Sequence, residues 1–368
     1  MPGKPLDRQK GSMLITTSIL FITLIGFAAV AVDVGHLMIA RNELQNAADA
    51  AALAGANCLD KTTAGSGVDC TSTSSATLNW AIASTKAGSA IGLNKADGTT
   101  LVDGTVSTGY KNLTGTPAGL QPNTLSPLSV NDKPAVMVSL SKTSGKNGGP
   151  VQTLITAMFG GAAASVAVTA VAVISSPGNV LPGTLIPQAI NKCMFDQYWD
   201  STTNSPKLAT STTLNGVPQV VGQPWELRIG SSYHYPACDS GQWTSFNLNV
   251  NDVPSVSGLI SGGNPTPLAI GDNTWIEPGT KTSLYGNLSS QYPTPPGADV
   301  TVLVVDLPSG LSGQGQTPIV AFAGFHIDDI QGGSGKYIQG HFTKGVIAGG
   351  SGGIGPYYGA YTPPRLAQ

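Results

Sequence analysis

Residues 13–56 read MLITTSILFITLIGFAAVAVDVGHLMIARNELQNAADAAALAGA, and their pattern decides the fold. The stretch 13–32 carries no charge. As a helix these residues span about 30 Å, one hydrocarbon core. Lys4, Arg8 and Lys10 precede the stretch against Asp7, and the next basic residue is Arg41. The positive-inside rule therefore predicts a cytoplasmic tail over 1–12, a transmembrane helix over 13–32, and everything after Asp33 on the far side.

Residues 33–56 continue the helical pattern without a proline. Val34, Leu37, Leu44, Ala48, Ala51 and Gly55 fall on one stripe at helical spacing, interrupted by Arg41. Asp33, Glu43, Asn46 and Asp49 lie largely away from it. Anchor and stem together predict one helix of about 44 residues, roughly 65 Å long. Seven of residues 47–56 are Ala, and side chains this small let helix backbones approach closely. Ala31 and Gly35 add a small-xxx-small pair at the membrane edge. Two partners for the stripe stay open: this protein's own next domain, or neighbouring subunits of an assembly.

Here the sequence resembles a known family. Ala31-Val32-Asp33-Val34-Gly35, Arg41-Asn42-Glu43-Leu44-Gln45 and Asn46-Ala47-Ala48-Asp49-Ala50-Ala51-Ala52-Leu53-Ala54-Gly55 look like the N-terminal signature of Tad (tight adherence) pilus-assembly proteins of the TadE/TadG kind. The resemblance is closer to the TadG side. Processed prepilins of this broad class carry a Glu five residues beyond their cut, and a cut after Gly11 would put Thr16 there. Ala29-Val30-Ala31 also fits a secretory cleavage site. An uncleaved anchor is the preferred reading, because the helical pattern runs straight through that site.

The exported part is divided as a Tad-like α/β region over 57–176 and a β-rich domain over 177–368. A modest helix is expected within 71–90, and Asp97-Gly98 and Asp103-Gly104 mark turns. Residues 135–140 (AVMVSL) read as a strand, 144–150 as a turn and 151–159 as a short helix stopped by Gly160-Gly161. Residues 165–174 (SVAVTAVAVI) read as a buried strand. This order is loosely similar to the rest of the Tad-like region, with Ala157-Met158-Phe159-Gly160-Gly161 where a family helix ends, so the resemblance runs over about residues 11–175. Beyond a boundary at Ser175-Ser176-Pro177-Gly178, strands are expected at 225–229, 243–250, 300–305 and 319–327, in an antiparallel sandwich or barrel-like domain. Residues 345–368 are expected to be irregular in part. The fold class is α+β: a long N-terminal transmembrane and stem helix, a small pilin-like α/β region, and a β-rich, sandwich-like C-terminal domain.

Composition narrows the function. Charged residues are only 10% of the 368, with 18 Lys+Arg against 20 Asp+Glu and a net charge of −2. That argues against a general nucleic-acid binder. Gly (47) and Pro (26) without a triplet period exclude collagen and disfavour a mainly helical fold. The four cysteines, Cys58, Cys70, Cys193 and Cys238, favour disulfides outside the cytoplasm. Sequential pairing is the expectation among three connectivities. A zinc site is disfavoured: there is no C-x-x-C, His36, His234, His326 and His341 are scattered, and Pro236 opposes a helix joining His234 to Cys238.

Little suggests chemistry. Residues 349–353 satisfy G-x-S-x-G, but the following Gly-Ile-Gly-Pro is a poor helix start for a nucleophile elbow. His326, Asp328 and Asp329 form the most catalytic-looking cluster, with His326 and Asp328 on one strand face. A surface or sheet-edge pair is the simpler reading. The D-x-S-x-S adhesion motif that some TadG-like proteins carry is absent at both Asp103 and Asp306, and neither Gly145-Lys146 nor Gly335-Lys336 continues as a Walker A motif. Tyr233, Tyr235, Trp243, Tyr357, Tyr358 and Tyr361 are either partner anchors or core.

The resemblance implies a non-enzymatic inner-membrane, single-pass component of a Tad/Flp-type pilus with a periplasmic C-terminal region and no cofactor. It would act as minor subunit, anchor or adaptor. Expected partners are pseudopilins, the inner-membrane platform and outer-membrane components, with self-association open. Leu37, Leu44, Ala48, Ala51 and Gly55 are the expected assembly residues. The alternative is an exported surface or adhesion protein released by signal cleavage.

Overall fold

The computed structural model describes residues 10–60, 70, 78–153, 163–230, 233–235, 238–279, 281–307, 310, 313–353 and 355–367. Lys4, Arg8, the 71–77 part of the expected helix, residues 154–159 with the Ala157–Gly161 motif, and Pro236 lie outside them.

Helix α1 runs unbroken over Lys10–Ala56, 47 residues. Its apolar half is exposed, with Met13, Ile22 and Phe27 at 77%, 70% and 74%. The hydroxyls in that half satisfy themselves: Thr17 Oγ1 donates to Met13 O (2.8 Å) and Ser18 Oγ to Leu14 O (2.7 Å). Such back-bonding leaves few polar groups facing an apolar surrounding. The helix ends in a tightened turn, where Cys58 N donates to Gly55 O at 3.0 Å.

Two compact units are interleaved along the chain. The first draws on Met1–Ala52, Lys86–Ser107 and Met137–Val171, the second on Leu53–Thr85, Thr108–Val136 and Ala172–Gln368. Helix α2 (Trp80–Ile91) is the one expected within 71–90. In the first unit, β1 (Lys95–Ala96) and β2 (Thr99–Thr100) form a hairpin. Its turn residues Asp97 and Gly98 have φ of +52° and +70°, as a two-residue turn matching strand twist requires.

A five-stranded sheet, whose residues are divided between the two units, is formed by β3 (Thr105–Asn112), β4 (Leu120–Pro122), β5 (Asp132–Lys142), β6 (Val166–Val173) and the strand Arg365–Leu366, in the order Arg365–Leu366, β6, β5, β3, β4. The expected strands at 135–140 and 165–174 are β5 and β6. In β5 the alternation Val136, Val138, Leu140 puts Lys142 on the same buried face.

The second unit holds β7 (Leu185–Asn191), α3 (Lys192–Tyr198), β8 (Glu226–Ile229), β9 (Gly241–Phe246), α4 (Val253–Gly262), β10 (Asn273–Glu277), α5 (Thr282–Gln291), β11 (Ala298–Val305), β12 (Gly315–Gln331) and β13 (Tyr337–Phe342). The strands pair in the order β8-β13-β12-β10-β9-β7-β11, and β11 pairs again with β12. The pairings of β12, β10, β9, β7 and β11 therefore close into a ring, barrel-like where a sandwich-like domain was expected. The β7–β11 pair is parallel, which departs from a purely antiparallel domain. The 17-residue β12 makes closure possible, carrying β10 at 315–318, β11 at 319–327 and β13 at 325–331.

Strands β7 and β11 are buried on both faces. Ile186, Ile190, Val302 and Val304 join a cluster with Phe195, Trp243 and Phe325. Leu185, Ala189, Leu303 and Val305 join another with Phe246 and Phe322. That is why VTVLVV reads as an apolar run rather than an alternation. The strand expected at 243–250 stops at Phe246, whose φ of +60° turns the chain out of the sheet. Disulfides join Cys58 to Cys70 and Cys193 to Cys238, the sequential pairing, with Cα separations of 5.2 and 6.5 Å.

Candidate functional site: the stem helix and its hairpin clasp

The stem half of α1 changes environment along its length. Leu44, Ala48, Ala51 and Gly55 are buried within the chain, and Leu37 is half-buried. Ala47, Ala52 and Ala56 are buried as well. Of the two partners left open for the alanine stripe, this burial favours the protein's own fold. Val34, Met38 and Ile39 remain exposed at 42%, 61% and 59%.

Polar residues of the stem clasp the β1–β2 hairpin within the first unit. His36 Nε2 lies 2.9 Å from Asp97 Oδ1. The Asp97 backbone N–H donates to Glu43 Oε2 at 2.6 Å. His36 and Glu43 are seven residues apart, two helical turns, and so share a face. Gln45 Nε2 donates to Asp49 Oδ1 (2.7 Å) and reaches Thr169 O (3.5 Å).

Beneath the hairpin sits Lys142, 1% exposed. Its ammonium donates to Asn147 O (2.9 Å) and Ala96 O (3.5 Å) and lies 3.7 Å from Asp97 Oδ2. Asp97 thus binds the helix through one oxygen and the buried lysine through the other. Asn147, in the turn expected at 144–150, is fully engaged. Its Oδ1 accepts from Val102 N and Asp103 N, and its Nδ2 donates to Asp103 O and Ser141 O. A buried amide in this state locks the loop that holds the lysine.

Asp97 and Lys142 were not singled out by sequence reasoning, which took Asp97-Gly98 only as a turn. One signal was present. Lys142 continues the inward parity of Val136, Val138 and Leu140, an unusual place for a lysine unless it is paired.

The other sequence candidates separate clearly. His326 and Asp328 do meet, with Nε2 3.8 Å from Oδ1. The sheet adds two residues no local motif showed: Asp299 Oδ1 lies 2.6 Å from His326 Nδ1, and His341 Nδ1 lies 2.7 Å from Asp328 Oδ2. Asp299 and His341 are both in register with His326, while Asp328 sits at the irregularity between Ile327 and Asp329. The Asp299 hydrogen bond raises the His326 pKa above its usual value, against the opposing effect of burial. Asp329 is held apart, by the Tyr337 hydroxyl and Gln331. Ser351 of the G-x-S-x-G run sits in a loop tied to residues 177–179, where Gly178 N donates to Ser351 O. Trp243, Tyr235 and Tyr361 are core residues, and Tyr358 stacks on Phe195 at 3.9 Å. Among the described residues no group of three or more His, Cys, Asp or Glu side chains is placed to hold a metal ion.

Residues 11–57, nearly the whole of α1, match the family model Tad, Flp pilus-assembly TadE/G-like. This segment is similar to the TadE/G-like Flp pilus-assembly family. No curated protein and no solved structure matches the chain. The matched segment contains the apolar half of α1, the buried alanine stripe, and both His36 and Glu43. The loosely similar strand–helix–strand order up to residue 175 lies beyond the matched residues. The helix of this segment is, among the described residues, long and apolar enough to cross a membrane, over Met13–Ala56.

Proposed function

We propose that this protein is a non-enzymatic, single-pass inner-membrane component that assists assembly of a Tad/Flp-type pilus, as minor subunit, anchor or adaptor. One observation carries the reading: a TadE/G-like helix whose first half exposes apolar side chains and whose second half is built into the folded part of the same chain. An exposed apolar half needs lipid or other helices around it. Lys4, Arg8 and Lys10 on one side support a cytoplasmic N-terminus, with the disulfide-bonded part outside.

The burial pattern moves the proposed contact surface. Leu44, Ala48, Ala51 and Gly55 serve internal packing, while Val34 and Met38, one turn apart, project outward where α1 leaves the apolar stretch. The helix therefore offers pilus-machinery partners its Val34/Met38 ridge.

Photocrosslinking in cells tests this, with the reactive side chain placed at Met38 or at Ala48. Met38 should capture pilus-assembly proteins identifiable by mass spectrometry, and Ala48 should not. Capture from neither position in cells that assemble pili would defeat the reading. A mature chain beginning at Val32 would instead favour an exported protein released by cleavage.

A further inference from the structure

The second unit contains a cavity of about 220 Å³. Its walls include Trp80, Tyr110, Leu128 and Ile174, and Lys133 and Tyr361 also face it. Trp80 and Tyr110 meet edge to face, ring centroids 5.4 Å apart. An apolar cavity of about 150 Å³ is enough to take a benzene ring, so one ring with a short polar arm fits here.

Two polar groups at this cavity are poorly satisfied. Lys133 is 6% exposed, and among the described residues its ammonium has one hydrogen bond, to Ser176 Oγ at a long 3.4 Å. Tyr361 is 1% exposed, and its hydroxyl has no hydrogen-bond partner among the described residues. Leaving buried donors unmade is costly. Several neighbouring polar groups are already committed. Asp132 accepts from Asn112 Nδ2 and Ser129 N, both at 2.8 Å. Tyr357 donates to Asp60, whose other oxygen lies 3.5 Å from Lys344 Nζ. Ser176 Oγ donates to Gly355 O at 2.6 Å.

The charge around Lys133 is also unbalanced. Burial and the nearby Arg365 pull its pKa down to about 8, and Asp132 only partly opposes them. Asp60 and Lys344 neutralise each other, so Lys133, Arg365 and Asp132 leave one positive charge in excess. Burial and the charge of Asp60 push the Tyr361 phenol up, so it stays a donor. A lysine and a phenol donor beside aromatic walls match a carboxylate carried on a ring.

We propose that this cavity binds a small aromatic carboxylate, its ring against Trp80 and Tyr110 and its carboxylate held by Lys133 Nζ and the Tyr361 hydroxyl. The site is independent of the pilus reading, since it uses no residue of α1.

The test uses the full chain in detergent and two probes, 3-phenylpropionate and the neutral 3-phenylpropanol, followed by calorimetry or ligand-observed NMR. The carboxylate should bind saturably and about tenfold more tightly than the alcohol. Lys133→Met should erase that preference, and Tyr361→Phe should weaken the carboxylate severalfold. Unaltered protein supplies a check that needs no variant: carboxylate affinity should fall as pH rises through 8, while alcohol affinity stays level. Absence of saturable carboxylate binding, equal affinity for the two probes, or a carboxylate affinity indifferent to pH between 7 and 9 would overturn the proposal.

Discussion

His36 Nε2 lies 2.9 Å from Asp97 Oδ1, joining the stem helix to a hairpin turn 61 residues further along the chain. The same carboxylate faces the ammonium of Lys142 at 3.7 Å. One aspartate in a left-handed turn therefore serves both the helix and a lysine buried beneath the hairpin.

Replacing Asp97 should be expensive for that reason. Asp97→Ala strands the Lys142 charge, and removing one partner of a buried pair costs roughly 3–5 kcal/mol. Because the Asp97 side chain is 24% exposed, a value at or below the lower end of about 3 kcal/mol is expected. Lys142→Met, combined with Asp97→Ala, should recover much of the loss. Chemical unfolding of the four variants in detergent, compared as a double-mutant cycle, measures the coupling.

Ala48 and Ala51 are both 0% exposed. Ala48→Leu and Ala51→Leu should each cost about 1–3 kcal/mol through overpacking. The double variant should therefore accumulate poorly and unfold earlier, rather than fold normally and fail only in assembly. Immunoblot levels together with thermal unfolding separate these outcomes. Wild-type abundance and wild-type stability would show that the stripe has room.

The two disulfides should differ in weight. Cys193–Cys238 spans 45 residues and Cys58–Cys70 spans 12. In a loop-entropy model these are worth about 4 and about 3 kcal/mol. Paired Cys→Ser replacements at 193 and 238 should therefore lower the unfolding midpoint more than those at 58 and 70. Equal effects would point to losses of native packing instead.

His326 should make stability depend on pH. Its folded pKa is raised, chiefly by the Asp299 hydrogen bond. A raised base contributes its full stabilisation below the unfolded value of about 6.5 and loses it as pH climbs through the folded value. Wild-type protein should lose this contribution on moving from pH 6 towards 8, and Asp299→Asn should flatten that part of the curve. NMR titration of the imidazole gives the shift directly, and a His326 pKa unchanged by Asp299→Asn would reject the cause assigned.

Much of the architecture was legible locally. The apolar run, the alanine stem, the turn at Asp97-Gly98 and strands β5, β6, β11 and β12 all show in residue order, because periodicity and turn chemistry act over a few residues. The strand expected to reach residue 250 was overrun, since nothing in WTSFNLNV announces the positive φ at Phe246. The parallel β7–β11 pair was also hidden, because pairing between residues 185–191 and 298–305 leaves no mark in either segment alone.

The sites divide the same way. His326 and Asp328 were visible as neighbours, whereas Asp299 and His341 joined them only through strand register. Lys133 and Tyr361 are more than two hundred residues apart and share a cavity only after folding.

From sequence alone came the long charge-free helix, its alanine extension, its likeness to TadE/G proteins and the sequential cysteine pairing, all of which rest on short-range pattern. Tertiary structure decided which face of that helix is consumed internally, what Asp97 holds, how five strands close a ring, and where unsatisfied donors converge. Those outcomes depend on which distant segments exclude water from one another, and burial of that kind belongs to the folded chain, not to any single stretch of it.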